Sequence, residues 1–299
     1  MTTAPQSAAP VETMVVVGAG TMGSGIALTA LLHGFRVELV DPQERMRTSA
    51  LEAITRRTER AVGTEAAGVL SSLRLHDDLS RVAGHADVVI EAVPELAEVK
   101  HAVFATLAEV APPHALLASN TSTMSISELA EAAGDSDRVI GLHFFNPVHR
   151  MELVEIVVGR ATSDATRDDA IAVVGRLGKD PILVKDVPGF VTSRLGLVLG
   201  NEAMRIVGEG TATASDVDKA MRLGYNHPMG PLELADLVGL DARLNNLRSV
   251  AAQTGRAEFE PPTLLVELVE SGRLGRKSGG GFYDYDQDGA RLPSGAGRA

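Results

Sequence analysis

The run Val15-Val16-Val17-Gly18-Ala19-Gly20-Thr21-Met22-Gly23 constrains the fold most, because it joins an apolar strand directly to an apolar helix that runs on to Gly34. In that setting each glycine has its own geometric task. Gly18 permits the tight turn, Gly20 lets the backbone come close to a ligand, and Gly23 lets helix and strand pack together. The helix N-terminus adds unpaired N–H groups and the positive end of a dipole, a receptor for an anion. The pattern predicts a βαβ dinucleotide site, with Gly18, Ala19, Gly20, Thr21, Met22 and Gly23 against a pyrophosphate. The next β-rich run, Arg36–Val40, leads to Asp41, about 20 residues beyond the last glycine, where a carboxylate accepts from ribose hydroxyls. A 2′-phosphate would meet like charge there, so NAD is expected over NADP, with Arg45 and Arg47 the nearby charges that would suit NADP.

From Thr13 to about Val187 short β-rich runs alternate with helical stretches, which predicts an α/β domain built on a mostly parallel, Rossmann-type sheet. The expected strands are Met14–Val17, Arg36–Val40, Asp87–Glu91, Ala115–Ser119, Val139–His143, Val154–Val158 and Ile182–Val184. A helical excursion, Gln43–Leu79, separates the second from the third, with an apolar piece at Leu73–Leu75 suited to one more strand. After Pro188-Gly189 the spacing turns helical over Phe190–Gly208, Ala214–Leu223, Pro231–Thr254 and Pro261–Ser271. The expected layout is a loose lead (1–12), a dinucleotide-binding domain (13–187), a smaller all-helical domain (188–286) and a disordered tail (287–299).

Composition narrows the function. The 299 residues carry 28 Lys and Arg against 39 Asp and Glu, a net charge of -11 that argues against nucleic acid and anionic membrane as partners. There is no Cys, which removes thiolate metal sites and cysteine nucleophiles together, and no metal is expected. No run approaches the ~18 apolar residues of a membrane helix, and a cytoplasmic protein is expected.

Two strand-borne residues stand out. His143 ends an apolar strand, where open α/β sheets place their sites, and Glu155 interrupts the apolar run Leu153-Val154-Glu155-Ile156. A buried carboxylate needs a partner, and pairing it with one imidazole nitrogen fixes the tautomer and leaves the other to take a proton. The polar run Ser119-Asn120-Thr121-Ser122-Thr123 also follows an apolar strand; it can cap the helix starting near Ile126 and face the same sheet edge.

At these residues the chain resembles the NAD-dependent 3-hydroxyacyl-CoA dehydrogenases, particularly their short bacterial members, the 3-hydroxybutyryl-CoA dehydrogenases. Beyond the glycine loop, the likeness runs through Val89-Ile90-Glu91-Ala92-Val93-Pro94-Glu95, Ser119-Asn120-Thr121-Ser122, Gly141-Leu142-His143-Phe144-Phe145-Asn146-Pro147 and Pro188-Gly189-Phe190. It continues through His227-Pro228-Met229-Gly230-Pro231-Leu232-Glu233-Leu234 and Gly275-Arg276-Lys277-Ser278-Gly279-Gly280-Gly281-Phe282-Tyr283.

The resemblance implies interconversion of (S)-3-hydroxyacyl-CoA and 3-oxoacyl-CoA with NAD as hydride carrier, the acyl group enclosed where the helical domain meets the first, and a homodimer. It makes His143 the general base, Glu155 its orienting partner and Ser122 a hydrogen-bond donor to the substrate oxygen beside the nicotinamide. Glu95, Lys100, Asn146 and Lys277 fall at cofactor positions of the family; from composition alone, Glu95 and Lys100 read as a solvated helix start. Two departures qualify this. Ser193 stands where the family has a substrate-holding Asn, and the excursion carries Arg56, Arg57 and Arg60 in place of a lysine that contacts the CoA nucleotide; arginine suits phosphate through bidentate geometry. Both departures also fall where relatives acting on a free hydroxy acid, such as gulonate dehydrogenase and lambda-crystallin, would differ; a cofactor-binding protein without turnover is a further alternative, against which the intact Ser122, His143 and Glu155 set argues.

Overall fold

A computed structural model describes residues 13–134 and 136–293. The chain divides at Val187 into two compact units. The first contains β1 (Thr13–Val17), α1 (Thr21–Leu32), β2 (Arg36–Val40), α2 (Glu44–Val62), α3 (Ala66–Leu70), β3 (Leu73–His76), β4 (Val88–Glu91), α4 (Ala97–Val110) and β5 (Leu116–Ser119). It continues with α5 (Ile126–Ala132), β6 (Val139–Phe144), β7 (Leu153–Val158), α6 (Asp164–Arg176) and β8 (Asp180–Lys185). The eight strands form one sheet in the order β3-β2-β1-β4-β5-β6-β7-β8.

Neighbours pair in parallel except β6 and β7, which run antiparallel. β1 and β4 are buried along their whole length, which is why they read as unbroken apolar runs: helices cover both faces of a parallel sheet. β1 lies between β2 and β4, so the chain leaves it toward one side and later returns on the other. Loops at such a switch point diverge and open a crevice at the strand C-termini. The expected extra strand is β3, paired with β2 at the sheet edge.

The second unit contains α7 (Thr192–Gly208), α8 (Ala214–Gly224), α9 (Pro231–Val238), α10 (Leu240–Thr254) and α11 (Thr263–Glu270) around a core that includes Met204, Leu232, Leu244, Leu247 and Phe259. The single helix expected over Pro231–Thr254 is two. Gly239, at φ +103, takes a conformation closed to a continuing α-helix and separates α9 from α10. Residues 287–293, expected to be disordered, are held by Ala290 and Asp284 carbonyls accepting the Asp286 and Leu292 N–H groups. The lead (1–12) and the rest of the tail (294–299) lie outside the described residues. Among the described residues no helix is long and apolar enough to cross a membrane.

Candidate active site

The tasks of Gly18 and Gly23 are visible in the loop after β1. Gly18 adopts φ +103, and a Cβ there would fall 2.6 Å from the Ala92 carbonyl oxygen. At Gly23 a Cβ would lie 1.8 Å from the Gly18 carbonyl oxygen, which no side chain could survive. Gly20 instead faces open space, on the wall of a cavity of about 980 Å³ that Gly18, Thr21, Met22 and Asp41 also line. No side chain caps α1, so its first-turn N–H groups remain for an anion.

Asp41 is docked against this loop, its Oδ2 accepting the Ala19 N–H at 2.9 Å and its Oδ1 the Gln43 N–H at 2.9 Å. The Ala19 amide, expected on a phosphate, is thus taken up in orienting Asp41. Asp77, Asp78 and Glu98 line the same cavity. With Asp41 they put four carboxylates on its wall, Asp77 and Asp78 lying 3.5 and 3.4 Å from the Arg81 guanidinium, while Arg47 is turned to the Asp41 carbonyl oxygen. The sequence reading missed Asp77 and Asp78, although an Asp pair directly after the Leu73–Leu75 piece points to the sheet edge that carries Asp41.

His143 and Glu155 face each other across the antiparallel β6–β7 pair. His143 Nδ1 lies 2.7 Å from Glu155 Oε2, and Glu155 is fully buried. The charge in the apolar strand has found the partner that burial demands. Phe145 packs on the imidazole at a centroid distance of 4.7 Å. In the next loop Asn146, expected at the cofactor, is exposed and precedes a cis peptide bond to Pro147.

The hydroxyls after β5 divide by task. Ser119 Oγ donates to Glu91 Oε2 at 2.6 Å, Thr121 and Thr123 donate to Glu95 Oε1, and Ser125 and Ser127 donate to Asp186. The cap of α5 is Ser125, two residues past the run in which it was expected, because the helix starts only at Ile126. Of the six hydroxyls at positions 119–127, that of Ser122 is the one with no hydrogen-bond partner among the described residues; its backbone N–H is used, on Glu95 at 3.1 Å.

Of Glu95 and Lys100, the lysine is no solvated helix start, while Glu95 keeps 37% of its side chain exposed. Lys100 is 1% exposed, its Nζ 2.7 Å from Glu91 Oε1 and 3.2 Å from Glu95 Oε2. Burial would raise the Glu95 carboxyl, but the Lys100 charge, with hydrogen bonds from Thr121, Lys100 and Ser122, holds it below its ordinary value.

A second cavity, of about 540 Å³, is lined by Arg57 and Arg60 of α2 together with His149 and Arg150. None of the four forms an ion pair with a described residue, in a chain with a net charge of -11. Arg56 does not join them. It is absent from the cavity wall and lies exposed, 4.0 Å from Glu52 one turn earlier on α2. His149 and Arg150 escaped the sequence reading because they reach the cavity from the loop after β6. In the second unit Lys277, expected at the cofactor, pairs with Asp241 at 2.6 Å, and Ser193 sits half-buried in the first turn of α7.

A glycine loop at a switch point, a carboxylate at the end of the second strand and a buried His–Glu pair are the features of a dinucleotide-dependent dehydrogenase. Family models match nearly the whole described chain: the 3-hydroxyacyl-CoA dehydrogenase NAD binding domain over residues 13–187 and the C-terminal domain of the same family over 189–285. A probable 3-hydroxybutyryl-CoA dehydrogenase of Bacillus subtilis is 42% identical over 283 residues, covering 93% of this chain and 98% of the relative. The crystal structure of (S)-3-hydroxybutyryl-CoA dehydrogenase from Ralstonia eutropha superposes with a TM-score of 0.88 at 37% identity, covering 93% of this chain and all of that one. That of Mycobacterium tuberculosis FadB2 gives 0.89 at 40% identity, covering 92% and 99%. The chain belongs to the 3-hydroxyacyl-CoA dehydrogenase family and is an NAD-dependent enzyme.

Proposed function

We propose that the protein oxidises a short-chain (S)-3-hydroxyacyl-CoA, 3-hydroxybutyryl-CoA above all, to the 3-oxoacyl-CoA, and catalyses the reverse reaction. The observation that carries this reading is the buried His143–Glu155 contact of 2.7 Å. Glu155 accepts the Nδ1 proton and so assigns Nε2 the task of receiving the proton of the 3-hydroxyl group; the carboxylate also stabilises the imidazolium that results. The Ser122 hydroxyl, unlike its neighbours, is in a position to bond the substrate oxygen. NAD, when bound, supplies the hydride acceptor. Gly20, Thr21 and Met22 would hold its pyrophosphate and Asp41 its ribose, as the open Cβ position at Gly20 and the uncapped α1 allow.

Arg57, Arg60, His149 and Arg150 would take the phosphates of the CoA nucleotide, a role for which paired guanidinium groups are suited. Leu195, Val198, Leu199, Leu234 and Leu237 are exposed on the second unit and fit burial against a second copy in a homodimer. The test of function is NADH oxidation with acetoacetyl-CoA, set beside free acetoacetate and beside NADPH. Turnover confined to the CoA ester with NADH is expected; equal turnover of the free acid would overturn the CoA reading.

A further inference from the structure

We propose that Arg243 is completed by a second copy of this chain: the exposed stripe of α7 packs on itself about a two-fold axis, and Glu202 of the second copy closes over the guanidinium. The inference rests on the reading of Leu195, Val198 and Leu199 as surface that a homodimer buries.

Arg243 lies on α10 and is only 6% exposed. Its Nη2 donates to the Gly196 carbonyl at 2.6 Å and to the Leu197 carbonyl at 3.4 Å, while its buried Nε has no hydrogen-bond partner among the described residues. No carboxylate among them offsets its charge either. Burial alone lowers the guanidinium to about 10, so it remains a cation at neutral pH. A buried charge without a counter-charge is costly, and α7 makes room for this one. At Gly200 a Cβ would fall 1.8 Å from Nη2, whereas at Gly196, whose carbonyl receives the same nitrogen, a Cβ would meet nothing within 4 Å. The guanidinium therefore lies in a notch of α7 that is open on its Gly196 side.

The stripe beside the notch identifies what fills it. Between positions 195 and 202 the exposed residues are Leu195, Val198, Leu199 and Glu202, at the i, i+3, i+4, i+7 spacing of a single helix face. Three apolar side chains thus end in one acid. A face packed on its own copy about a two-fold axis runs antiparallel, and residues equidistant from the axis oppose one another. With the axis at the middle of the stripe, between Val198 and Leu199, Glu202 of one copy stands over Leu195 and Gly196 of the other, where the notch opens. Symmetry makes the contact twice, which leaves an apolar centre flanked by two ion pairs. Glu202 is at liberty to change partners: it is 64% exposed, and its 3.8 Å contact with Arg205 is a surface pair one turn along the helix, of a kind that contributes little. The second copy supplies the counter-charge that Arg243 lacks within its own chain.

The quantity to measure is the dissociation constant of the dimer, by sedimentation equilibrium on the full chain. E202Q is expected to raise it roughly 10–100-fold, the scale of leaving a desolvated charge without its partner. G196L fills the notch and touches neither charge, and it should raise the constant to a similar extent. In R243M the E202Q substitution should cost less than about threefold, because the two residues act through one contact; should R243M fail to fold, G196L serves as the background for E202Q in its place. The chain has no Cys, so a disulfide formed by L199C can only join two copies. L199C should cross-link on oxidation much faster than L223C, placed on an exposed leucine of α8. A dimer that cross-links through L199C but ignores either E202Q or G196L, or in which E202Q and R243M act additively, would overturn the ion pair and keep the homodimer reading. A chain that is monomeric at every concentration, or a dimer in which L199C cross-links no faster than L223C, would overturn both. None of these outcomes depends on turnover.

Discussion

Both units bury carboxylates, and they satisfy them by opposite means. In the first, Glu91 and Glu155 each face a nitrogen base that can carry charge, Lys100 at 2.7 Å and His143 at 2.7 Å. In the second, Asp218 and Asp236 form no ion pair with a described residue. Asp218 accepts the Leu232 and Glu233 N–H groups at the start of α9 and the Tyr283 hydroxyl; Asp236 accepts the Phe282 and Tyr283 N–H groups and the Tyr285 hydroxyl. Burial accordingly holds Asp236 above the usual carboxylate range and pushes both tyrosine hydroxyls up. A carboxylate bound to backbone N–H groups fastens chain segments and has nothing to exchange. One bound to imidazole can pass a proton on. The difference separates a structural staple from a chemical device, although all four side chains are equally hidden.

The largest effect should come from the device. H143Q keeps a hydrogen-bonding group beside Glu155 but no base, and turnover should fall by roughly 10²–10⁴-fold, the contribution of a general base. Thermal unfolding and NADH binding should stay close to wild type. Near-normal turnover would break the comparison at its root.

D236A should do the reverse. It strands two backbone N–H groups and one tyrosine hydroxyl, a loss of about 3 kcal/mol in chemical denaturation of the second unit. D236N, which retains an acceptor and lacks the charge that burial disfavours, should lose less. Loss of stability in H143Q to match D236A would erase the distinction between the two kinds of site.

How far this was readable from the sequence follows the same division. The glycine loop, Asp41 and His143 were legible because each combines a residue type with a place at or near a strand end, and parallel strands send their ends to one edge; Glu155, inside antiparallel β7, was legible as a charge interrupting an apolar run. Asp218 and Asp236 were not, since an Asp within a polar helix pattern looks solvated. Their signal lay in glycines that seemed to be mere motif: a Cβ at Gly230 would sit 2.2 Å from the Asp218 carboxyl carbon, and one at Gly281 2.0 Å from Asp236 Oδ1. Those glycines make room for the carboxylates. Lys100 was misjudged for the related reason that a Lys near a helix start is ordinarily wet; only the placement of Glu91 at the end of the adjacent strand explains its burial.

Two surface-facing features of the first unit should show smaller effects, and on affinity alone. R57Q and R60Q should each raise the KM for acetoacetyl-CoA about tenfold, the worth of one hydrogen bond to a charged group, and R56Q should change it little. Equal effects from all three arginines would mean that net charge, not the cavity, attracts the ester. D41A should weaken NADH severalfold and narrow its advantage over NADPH, read from binding titrations. Because Asp77, Asp78 and Glu98 remain on the cavity wall, the preference should shrink without reversing.

The smallest effect tests whether the basic cavity holds a group able to exchange a proton, the role proposed for the His–Glu pair. Burial comes first among the causes that hold His149 below its ordinary 6.5, followed by the charges of Arg57 and Arg150 and that of Lys179, whose ammonium is fixed to the Val148 and Met151 carbonyls. Arg60 completes the group around it. A lowered value in the folded state means that the folded protein binds fewer protons than the unfolded chain below about pH 6.5, so this residue subtracts stability as pH falls through that range. A phosphate seated among these cations reverses the local sign and favours imidazolium. Binding of the CoA ester should therefore take up a proton and tighten by a small factor, about two- to threefold, as pH drops from 7.5 to 6. Calorimetry in buffers of different ionisation enthalpy would read that uptake directly, and H149N should abolish it while leaving the His143-dependent pH profile of turnover in place. Uptake that persists in H149N would return the pH response to the catalytic pair and leave the cavity a set of fixed charges.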